Sequence, residues 1–535
     1  MADSKLDSTS TARPLREVAV RVSATDNVAV VKYGAAAGTV VELPSAPGSD
    51  RGPARVTLAA EIPGGHRFAL SDIPAGAFVR QYGQPVGTSL GIQAGQLISH
   101  ERMSDEIPVV RDLPPQLHTP APLYVPESAR PTFPGFRRAD GRTGTRNWIA
   151  IIPTSMCASH EAQQVANTAE FTLWSAEEFP NVDGVVALGH NKGCGTPDGS
   201  NIQTILRTLA AFACHPNVGA VIFLELGCEK TGSSVLRDWM DAQGLQPTGK
   251  PVAWIGIQDA GGTKAAIRRG LDEVRRMLPL VNQARRESRP VSELVLGLKC
   301  GGSDGFSGLT ANPALGHAAD LVVQNGGTAI LTEVPEFCGA EHVLALRARD
   351  ATVGRQVYDL VDWYKTHTAR IGANLGMNPS PGNVTGGLLN IALKSLGAIA
   401  KGGSTRVEGV MGYAEAPPGR GLNLMQGPGY DQESVPGLVA AGCNLVVFTT
   451  GRGSTMGNAI VPVVKLASNT PIFDRMNQDL DLNAGTILDG TETIEQVGAR
   501  LFAHLQKVAS SEARACAEET GHREFQIWAP EPVSL

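Results

Sequence analysis

Residues 299–316 read KCGGSDGFSGLTANPALG, and residues 325–341 read NGGTAILTEVPEFCGAE. The first stretch mixes glycines with small hydroxyl and amide side chains, a poor pattern for a helix or strand and a good one for a binding loop. In the second, an apolar run, Thr328–Thr332, ends on two acidic residues, Glu333 and Glu336. Acidic groups just past the carboxyl end of a buried strand lie where open α/β sheets bind ligands. The two stretches together therefore predict an α/β fold with a site at this edge of its sheet.

The same order of strand, glycine turn and helix recurs on both sides of these stretches. WIAIIPT, DGVVALGH and GAVIFLELG read as buried strands before them, and CNLVVFTT and VPVVKL read as strands after them. Strands that alternate with helices indicate βαβ units and mainly parallel sheets. We predict two α/β domains, residues 135–285 and 290–535, with a charged, proline-containing joint near residues 283–293.

The N-terminal part of the chain has a different pattern. Residues 16–103 contain short alternating runs such as NVAVVKY and RVTLAAEI, separated by glycine and proline turns. This pattern predicts a small β domain. Residues 104–134 are rich in proline, which fixes φ and removes a backbone donor, so we predict an extended linker there.

Length and composition exclude several classes of protein. A chain of 535 residues is too long for one hydrophobic core, and its formal net charge of -6 gives no basic surface for nucleic acid. No apolar run approaches the roughly 20 residues that span a bilayer, and the first residues, MADSKLDSTSTARPL, lack the apolar core of a secretion signal. We therefore expect a cytoplasmic protein that binds neither nucleic acid nor membranes.

Several candidate ligand groups lie at predicted strand ends. His190 and Cys194 are four residues apart in GHNKGCG and would suit a transition metal. Arginine side chains fit carboxylates in a two-pronged manner, which would suit an acidic substrate. For each residue an ordinary solvated loop is the alternative interpretation. The candidate substrate-binding residues are Arg142, Arg146, Ser303, Asp304, Asn312, Thr450 and Arg452.

The cysteines suggest one further alternative. Cys157, Cys194, Cys228 and Cys300 each follow a strand-like run, and they would hold an iron–sulfur cluster if they met. Their spread along the chain and the lack of CxxC pairs argue against that interpretation. A nucleotide site lacks its fingerprint, because the chain has no GxxxxGK[ST] motif.

Taken together, the ordered motifs of the chain are recognisable. They are TDNVAV, GHRFALSDI with YGQPVG, RADGRTGTRN, GHNKGCG, LGCEK, KCGGSDGFSGLTANPALG, TEVPEFCGAE, NPSPGN with KSLG, and FTTGRGS with PVVKLASNT. On these motifs the chain resembles the altronate dehydratase and galactarate dehydratase family over nearly its whole length. The resemblance implies a small N-terminal β-clip domain of the SAF type, followed by two α/β domains with mainly parallel sheets.

The resemblance also implies an activity and a cofactor. The family removes water from a sugar acid to give a 2-keto-3-deoxy acid with a divalent metal, usually described as Fe²⁺, while Mn²⁺ is possible. We also expect a homo-oligomer, a dimer. The family's residues match this chain at His66, Cys157, His190, Cys194, Cys228, Cys300, Glu333, Glu336 and Lys465.

From the chemistry of dehydration we expect particular roles for these residues. The reaction needs a base for the C2 proton, stabilisation of the enediolate and an acid or metal for the leaving hydroxide. We expect His190 and Cys194 to hold the metal, and Glu333 and Glu336 to act as ligand or base. Lys465 and His66 complete the predicted catalytic set, and His66 would reach the site from the N-terminal domain as a lid or proton donor.

Two departures from the family pattern leave the substrate open. Ser23 stands where the family often has histidine, and Lys192 replaces the usual aromatic residue before GCG. TEVPEFCGAE resembles altronate dehydratases, whereas the length of the chain resembles galactarate dehydratases. Alternative hypotheses are a related lyase that releases sulfite from a sulfonated hydroxy acid and a sugar-acid-binding protein with a decayed site.

Overall fold

The N-terminal domain consists of short strands around a small apolar core. The computed structural model describes residues 12–44 and 53–531. In this domain the strands form three three-stranded sheets, ordered β1-β4-β5, β2-β3-β6 and β7-β8-β9, and every pair except β1 with β4 is antiparallel. This arrangement confirms the predicted small β domain. Its elements are β1 Arg13–Pro14, α1 Leu15–Val18, β2 Ala19–Val20, β3 Val28–Val31, β4 Val40–Glu42, β5 Arg55–Thr57, β6 Arg67–Ala69, β7 Phe78–Gln81, β8 Gln84–Ser89 and β9 Met103–Ser104.

The second domain is built on a four-stranded parallel sheet with the order β13-β12-β14-β15. Its strands are β10 Thr132–Arg137, β11 Thr143–Gly144, β12 Trp148–Pro153, β13 Gly184–Ala187, β14 Val218–Glu225, β15 Val252–Gly256 and β16 Arg286–Pro290. Its helices are α2 Ser159–Thr172, α3 Ser200–Cys214, α4 Ser233–Gln243, α5 Ile257–Ala260 and α6 Thr263–Val281.

Sequence patterns explain the two layers of this domain. β14 reads VGAVIFLE with seven buried residues in a row, as expected for a parallel strand covered on both faces. α6 buries Ala266, Gly270, Val274 and Met277, which follow the helical spacing of three or four residues. Gly270 is required by close packing, because a Cβ there would lie 2.7 Å from a methyl group of Val165.

The segment near residues 283–293, the predicted joint, contains a β-strand. Arg286–Pro290 forms β16, which pairs antiparallel with β10 in a three-stranded sheet ordered β11-β10-β16. The chain thus returns to the strand that opens the second domain, and the charged side chains lie on a sheet edge. The joint predicted near residues 283–293 stays a prediction, and within it this segment is a strand because β10 offers its backbone groups to it.

The third domain contains a seven-stranded, fully parallel sheet ordered β19-β20-β18-β17-β21-β22-β23. This finding confirms the predicted α/β class. The strands are β17 Val295–Cys300, β18 Thr328–Leu331, β19 Val407–Met411, β20 Gly421–Met425, β21 Leu445–Thr450, β22 Val463–Ala467 and β23 Leu482–Asn483. The helices are α7 Ala311–Gln324, α8 Glu341–Leu346, α9 Ala351–Arg370, α10 Pro381–Thr385, α11 Ile391–Ala398, α12 Asp431–Ala440, α13 Thr470–Arg475, α14 Thr486–Asp489, α15 Ile494–Ala509 and α16 Cys516–Glu519.

The proline-rich segment lies against the third domain. Arg111 donates to Glu341 at 2.8 Å and to Asp362 at 2.7 Å, and the backbone N–H of Val125 donates to the carbonyl of Gln324 at 2.8 Å. The segment therefore crosses the surface of the third domain before the second domain begins. Within the described residues, every helix is too short or too polar to cross a bilayer.

Candidate active site

A buried group of ionisable side chains lies at the carboxyl end of the seven-stranded sheet. β17 ends on a lysine and a cysteine, and the neighbouring strand β18 is followed by two glutamates. Two more lysines come from α11 and the single 3-10 turn after it. We call this group the lysine–glutamate cluster, and its members are Lys299, Cys300, Glu333, Glu336, Lys394 and Lys401.

Glu333 is the fixed centre of the cluster. Its carboxylate is fully buried and accepts from the ammonium groups of Lys299 and Lys401, the latter at 2.8 Å, and from the backbone N–H of Cys300 at 3.0 Å. Its backbone has φ of +73°, a left-handed conformation that non-glycine residues adopt rarely and mostly at functional sites. Because its oxygens are already engaged, Glu333 is suited to position its neighbours rather than to receive a proton.

Glu336 is the more available carboxylate. It pairs with Lys394 at 2.8 Å, and the thiol of Cys300 donates to it at 3.2 Å. Burial alone would raise its pKa, but the charges of Lys394, Lys401 and Lys299 hold the pKa at about 2. Glu336 is therefore ionised at neutral pH, and within 3.2 Å it has two partners where Glu333 has three.

The three lysines of the cluster are held in their protonated form. Burial opposes their charge, yet the surrounding carboxylates raise the pKa of Lys299, Lys394 and Lys401 above the ordinary lysine value. All three are thus protonated at neutral pH and act as hydrogen-bond donors or acids. The cluster thus places protonated amines and an ionised carboxylate side by side.

Sequence reasoning found the two glutamates but gave the lysines no catalytic role. Lys394 and Lys401 are seven residues apart in LLNIALKSLGAIAKGG, so they lie two helical turns apart on the same face. Lys299 interrupts the otherwise apolar strand sequence ELVLGLKC. A lysine inside an apolar run is rarely buried without a partner, and that was the available signal.

The cluster fits a metal ion by donor type but not by charge. The donor atoms of Cys300, Glu333 and Glu336 lie within 4.8 Å of one another, a mixed sulfur and oxygen set that suits iron(II). However, Lys401 already lies 2.7 Å from the Cys300 sulfur and 2.8 Å from Glu333. Burial, followed by the charge of Glu333, raises the pKa of the Cys300 thiol to about 12, so the metal-binding thiolate is disfavoured. A dication here would join three ammonium groups, and we assign no metal to the cluster.

Asp304 organises the glycine-rich loop. One of its oxygens accepts from the hydroxyls of Ser307 and Ser468, each at 2.9 Å, and the other accepts from Asn469 at 3.0 Å. Burial raises its pKa, and these hydrogen bonds oppose the rise. The loop is therefore held rigidly against the end of β22.

The other predicted substrate residues of this loop region differ in availability. Asn312 and Thr450 have structural partners: Asn312 accepts from Thr449 at 2.6 Å, and the hydroxyl of Thr450 accepts from the N–H of Gly453 at 3.0 Å. Ser303 is different, because its buried hydroxyl has no hydrogen-bond partner among the described residues. Of these three, Ser303 is the one whose polar atom remains for a ligand.

The N-terminal domain covers the glycine-rich loop. A Cβ on Gly305 would lie 2.1 Å from the carbonyl oxygen of Gly65, and one on Gly387 would lie 2.3 Å from the same oxygen. The guanidinium of Arg67 donates to the carbonyl of Gly387. His66 is thus one residue from this contact, half-buried, with its pKa lowered by burial. Its predicted role as a lid or proton donor stays a prediction.

A cavity of about 350 Å³ lies between the N-terminal and third domains beside this contact. Its wall includes the cations Lys32, Arg452 and Arg475, together with Asp304 and Gly386. The carbonyl of Gly386 accepts from Gly305, and Asn383 of the same turn lies 3.4 Å from the ammonium of Lys394. The cavity and the lysine–glutamate cluster are thus separated by a single turn of chain, α10.

Three other predicted residues lie elsewhere. Arg142 and Arg146 precede β12 at the amino end of its sheet, where Arg142 pairs with Asp140 at 2.7 Å and the buried Arg146 pairs with Glu518 at 2.6 Å. Lys465 is buried within β22 and donates to the carbonyl of Met456 at 3.3 Å. The structure does not bring these three side chains to the cluster, because their donors are committed to other partners.

His190 also has a structural environment. One ring nitrogen lies 2.9 Å from the carbonyl of Pro153, and the other accepts the backbone N–H of Lys192 at 3.2 Å. Burial lowers its pKa to about 4, so the ring is neutral at neutral pH. Both nitrogens are occupied by backbone groups. The metal-ligand role of His190 stays a prediction.

Cys194 lies on the open part of the same loop. Its thiol is free and exposed, and it lines a cavity of about 490 Å³ together with Cys157 and Lys192. Lys192 also counteracts the effect of burial on the pKa of Glu433, which lies on the first turn of α12. Asp431 on that same turn pairs with Lys299 at 2.8 Å. The first turn of α12 therefore contacts the lysine–glutamate cluster and is within electrostatic range of the GHNKGCG loop.

The position of Ser23 shows no link to the cluster. The Ser23 hydroxyl contacts the Thr25 hydroxyl at 3.0 Å, and its N–H donates to Asp26 at 2.9 Å. Ser23 therefore supports a turn of the N-terminal domain.

Comparison with known proteins agrees with this architecture. Residues 17–106 match the altronate/galactarate dehydratase SAF domain, residues 135–282 match the second domain of D-galactarate dehydratase/altronate hydrolase, and residues 291–533 match the C-terminal domain of D-galactarate/altronate dehydratase.

Individual relatives align over most of the chain. A galactarate dehydratase (L-threo-forming) from Escherichia coli K12 is 37% identical over 526 residues, covering 96% of this chain and 97% of the relative. An altronate dehydratase from the same organism is 34% identical over 514 residues, covering 95% and 98%. The beta subunit of a (2R)-sulfolactate sulfo-lyase from Chromohalobacter salexigens is 33% identical over 399 residues, covering 74% and 97%. The chain therefore belongs to the galactarate and altronate dehydratase family.

Proposed function

We propose that the protein is a metal-dependent dehydratase that removes water from a sugar acid, altronate or galactarate, to give a 2-keto-3-deoxy acid. The observation that carries this proposal is the buried pair of Glu336 and Lys394, 2.8 Å apart, with an ionised carboxylate beside a protonated amine. Dehydration of a hydroxy acid needs one group to take a proton and another to give one.

The proposed roles follow from the protonation states. The carboxylate of Glu336 takes the proton from C2, and the Lys394 ammonium gives a proton to the hydroxyl at C3 as the C3–O bond breaks and water leaves. The resulting enol then becomes the 2-keto acid by proton transfer to C3. Passage of the proton from Glu336 to Lys394 restores the starting state. Lys299 and Lys401 hold Glu333 in place and add positive charge near the developing enediolate.

The remaining groups would bind the substrate. Arg452 and Arg475 in the cation-lined cavity are suited to a carboxylate, since guanidinium groups bind carboxylates through paired hydrogen bonds. The free hydroxyl of Ser303 is suited to a sugar hydroxyl. Asp304, Asn312 and Thr450 would support these groups indirectly through the loop that they brace.

A divalent metal, Fe²⁺ or Mn²⁺, is part of the proposal. When bound, such an ion supplies a Lewis acid for the carboxylate and hydroxyl oxygens of the substrate. Cys194 is the predicted metal ligand that remains accessible, because its thiol is exposed beside a cavity. The homodimer that we expect also remains part of the proposal.

A screen of sugar acids tests the proposal. The purified protein is incubated with aldonates and aldarates in the presence of Fe²⁺, of Mn²⁺ and of a chelator, and keto-acid formation is followed spectrophotometrically. We expect turnover of altronate or galactarate with metal, and its loss on chelation with recovery on adding Fe²⁺. Full activity in the chelated sample would contradict the metal requirement. Binding without turnover under every condition would instead support a decayed sugar-acid-binding protein.

Sulfite release is the second candidate reaction. It is favoured by the relative named as a sulfo-lyase subunit, whose identity of 33% is close to the 34% of the altronate dehydratase. The same acid–base pair would serve it, because sulfite would replace hydroxide as the leaving group. Assaying sulfite beside keto acid, with sulfolactate among the substrates, distinguishes the two reactions.

A further inference from the structure

Three exposed cysteines lie outside the lysine–glutamate cluster. Cys157, Cys194 and Cys228 are free and exposed. They follow β12, β13 and β14, which are neighbours in the order β13-β12-β14 and run parallel. The three thiols therefore leave the same edge of one sheet from three adjacent strands.

Hydrogen bonds beside each cysteine hold the three turns together. The N–H of Met156 donates to the carbonyl of Lys192 at 2.6 Å, which joins the Cys157 turn to the Cys194 loop. The carboxylate of Glu229 accepts from Thr154 at 2.7 Å and from the N–H of Cys228 at 3.0 Å, which joins the Cys157 turn to the Cys228 turn. The positions of the thiols are thus fixed by contacts within a few residues of each one.

These turns surround open space. Cys157 and Cys194 both line the cavity of about 490 Å³, whose wall also contains Gly193 and Gly195. Lys230, two residues after Cys228, donates to the carbonyl of Thr196 on the same wall at 3.2 Å. The Cys228 turn therefore reaches the rim of a cavity whose wall carries two thiols and several glycines.

The spacing favours a polynuclear metal centre over a single ion. Among the described residues, the group of three or more metal-binding side chains with ligand atoms within 4.8 Å of one another is Cys300 with Glu333 and Glu336. At least one separation among the three exposed sulfurs exceeds that distance, as expected since β13 and β14 are two strand spacings of about 4.8 Å apart. A single ion binds thiolates at about 2.3 Å and cannot reach three such sulfurs, whereas a cluster of iron and sulfide occupies more space.

Cys300, the fourth cysteine that the sequence suggested as an iron–sulfur cluster ligand, lies at the other sheet. Cys300 is buried, its thiol donates to Glu336, and Lys401 lies 2.7 Å from its sulfur. Its thiol is held neutral inside the lysine–glutamate cluster, so it is unsuited to ligate iron. The iron–sulfur cluster that the sequence suggested is therefore left with three candidate cysteine ligands instead of four.

We propose that Cys157, Cys194 and Cys228 bind an iron–sulfur cluster of the [4Fe–4S] type. Each cysteine binds as a thiolate after releasing its proton to water, and two Fe²⁺, two Fe³⁺ and four sulfide ions come from solution, so that assembly involves no change of oxidation state. Three protein thiolates serve three of the four irons, which leaves one iron for an oxygen ligand. Lys192 and Lys230 next to the thiols would balance the negative charge of the thiolate-bound cluster.

The catalytic meaning of this site rests on the proposed function: an iron with an open position would bind the oxygens of a hydroxy acid, and the cluster would then stand in place of a single Fe²⁺ or Mn²⁺ ion at Cys194. Asp431 on the first turn of α12 is bound to Lys299 of the lysine–glutamate cluster, and Glu433 on the same turn is within electrostatic range of Lys192. The existence of the cluster does not depend on which substrate is used.

The test is reconstitution of the full chain with equal amounts of ferrous and ferric iron and with sulfide under anaerobic conditions. We expect about four irons and about four acid-labile sulfides per chain. We also expect a broad absorbance shoulder in the short-wavelength visible region, which should disappear on exposure to air. Cys157→Ser, Cys194→Ser and Cys228→Ser should each lower bound sulfide about tenfold or more. Labelling with N-ethylmaleimide should modify these three thiols in the iron-free protein and leave them protected after reconstitution.

Two other variants separate this inference from the proposed reaction. Cys338→Ser, at a half-buried thiol distant in sequence, should retain full cluster content. Cys300→Ser should also retain the cluster, although it alters the lysine–glutamate cluster and should impair dehydration. One iron per chain without sulfide, or sulfide content unchanged in the three variants, would overturn the inference. Because the three positions are exposed, circular dichroism should show that each variant is folded.

Discussion

The two parallel sheets of this protein have contrasting carboxyl edges. At the edge of the seven-stranded sheet, Glu333 and Lys299 are fully buried, and each carboxylate of the cluster meets an ammonium group. At the edge of the four-stranded sheet, three thiols are exposed and free. The same position in two α/β domains thus carries a closed, charge-compensated set of groups in one case and an open set of soft ligands in the other.

This difference indicates a division of labour. Burial and ion pairing fix protonation states, which suits groups that give and take protons at defined atoms. Exposed thiolates on glycine-containing loops suit the capture of a metal centre from solution. Variants at each edge test whether turnover and iron binding can be changed independently.

The largest expected effect is on turnover. Glu336→Gln keeps the size of the side chain but removes the base, so we expect kcat for keto-acid formation to fall by about 10²–10⁴ with a smaller change in KM. Lys394→Met should lower kcat by a similar factor, because the leaving hydroxyl loses its acid. Steady-state kinetics on the best substrate of the screen measures both.

Iron content is the companion measurement for these variants. Glu336→Gln should bind as much iron and sulfide as the unmodified protein, because the cysteines lie on the other sheet. Glu415→Gln is a control outside the cluster, since this half-buried glutamate pairs with Arg207 at 3.2 Å. A kcat for Glu336→Gln within tenfold of the control would remove Glu336 from the mechanism.

The second effect is on stability. Lys401→Met leaves the buried Glu333 with one ammonium partner instead of two, and breaking a buried ion pair from one side costs about 3–5 kcal/mol. Arg275→Met removes one partner of an exposed pair with Asp272 and should cost less than about 1 kcal/mol. Denaturant unfolding followed by tryptophan fluorescence compares the two. Similar small losses for both would mean that the seven-stranded edge is less dependent on its ion pairs than its burial indicates.

Much of the fold follows from local sequence patterns. Apolar runs such as VGAVIFLE, glycine turns and intervening amphipathic segments identify parallel strands and helices, and the motifs identify the three-domain order. The pairing of β16 with β10 was not accessible in this way. Arg286–Pro290 is charged and contains proline, and only the position of β10, about 150 residues earlier, makes it a strand.

The site was predicted in part, for physical reasons that differ between residues. Glu333 and Glu336 follow a recognisable buried strand, so their place at a sheet edge was predictable. Arg146 looks the same in sequence as a substrate-binding arginine, but its partner, Glu518, is 372 residues away. His190 sits beside Cys194 like a metal ligand, yet two backbone groups occupy its ring. Such distant or backbone partners leave no mark in a single sequence.

The smallest expected effect concerns the loop that carries Cys194. Burial lowers the pKa of His190 to about 4 in the folded protein, against about 6.5 in the unfolded chain. The unfolded state therefore binds the extra proton more readily, so the contribution of His190 to stability is complete above pH 6.5 and is lost as the pH falls toward 4. The loss is on the order of 3 kcal/mol, since each pKa unit corresponds to about 1.4 kcal/mol.

Denaturant unfolding of metal-free protein at pH 7.5 and 4.5 should show a larger drop in the free energy of unfolding than the same measurement on His190→Gln. The buried His215 shifts in the same direction but is present in both proteins, so the difference between them isolates His190. Equal drops would mean that the ring is protonated in the fold, and the neutral, backbone-bound ring that we infer from its two hydrogen bonds would be wrong.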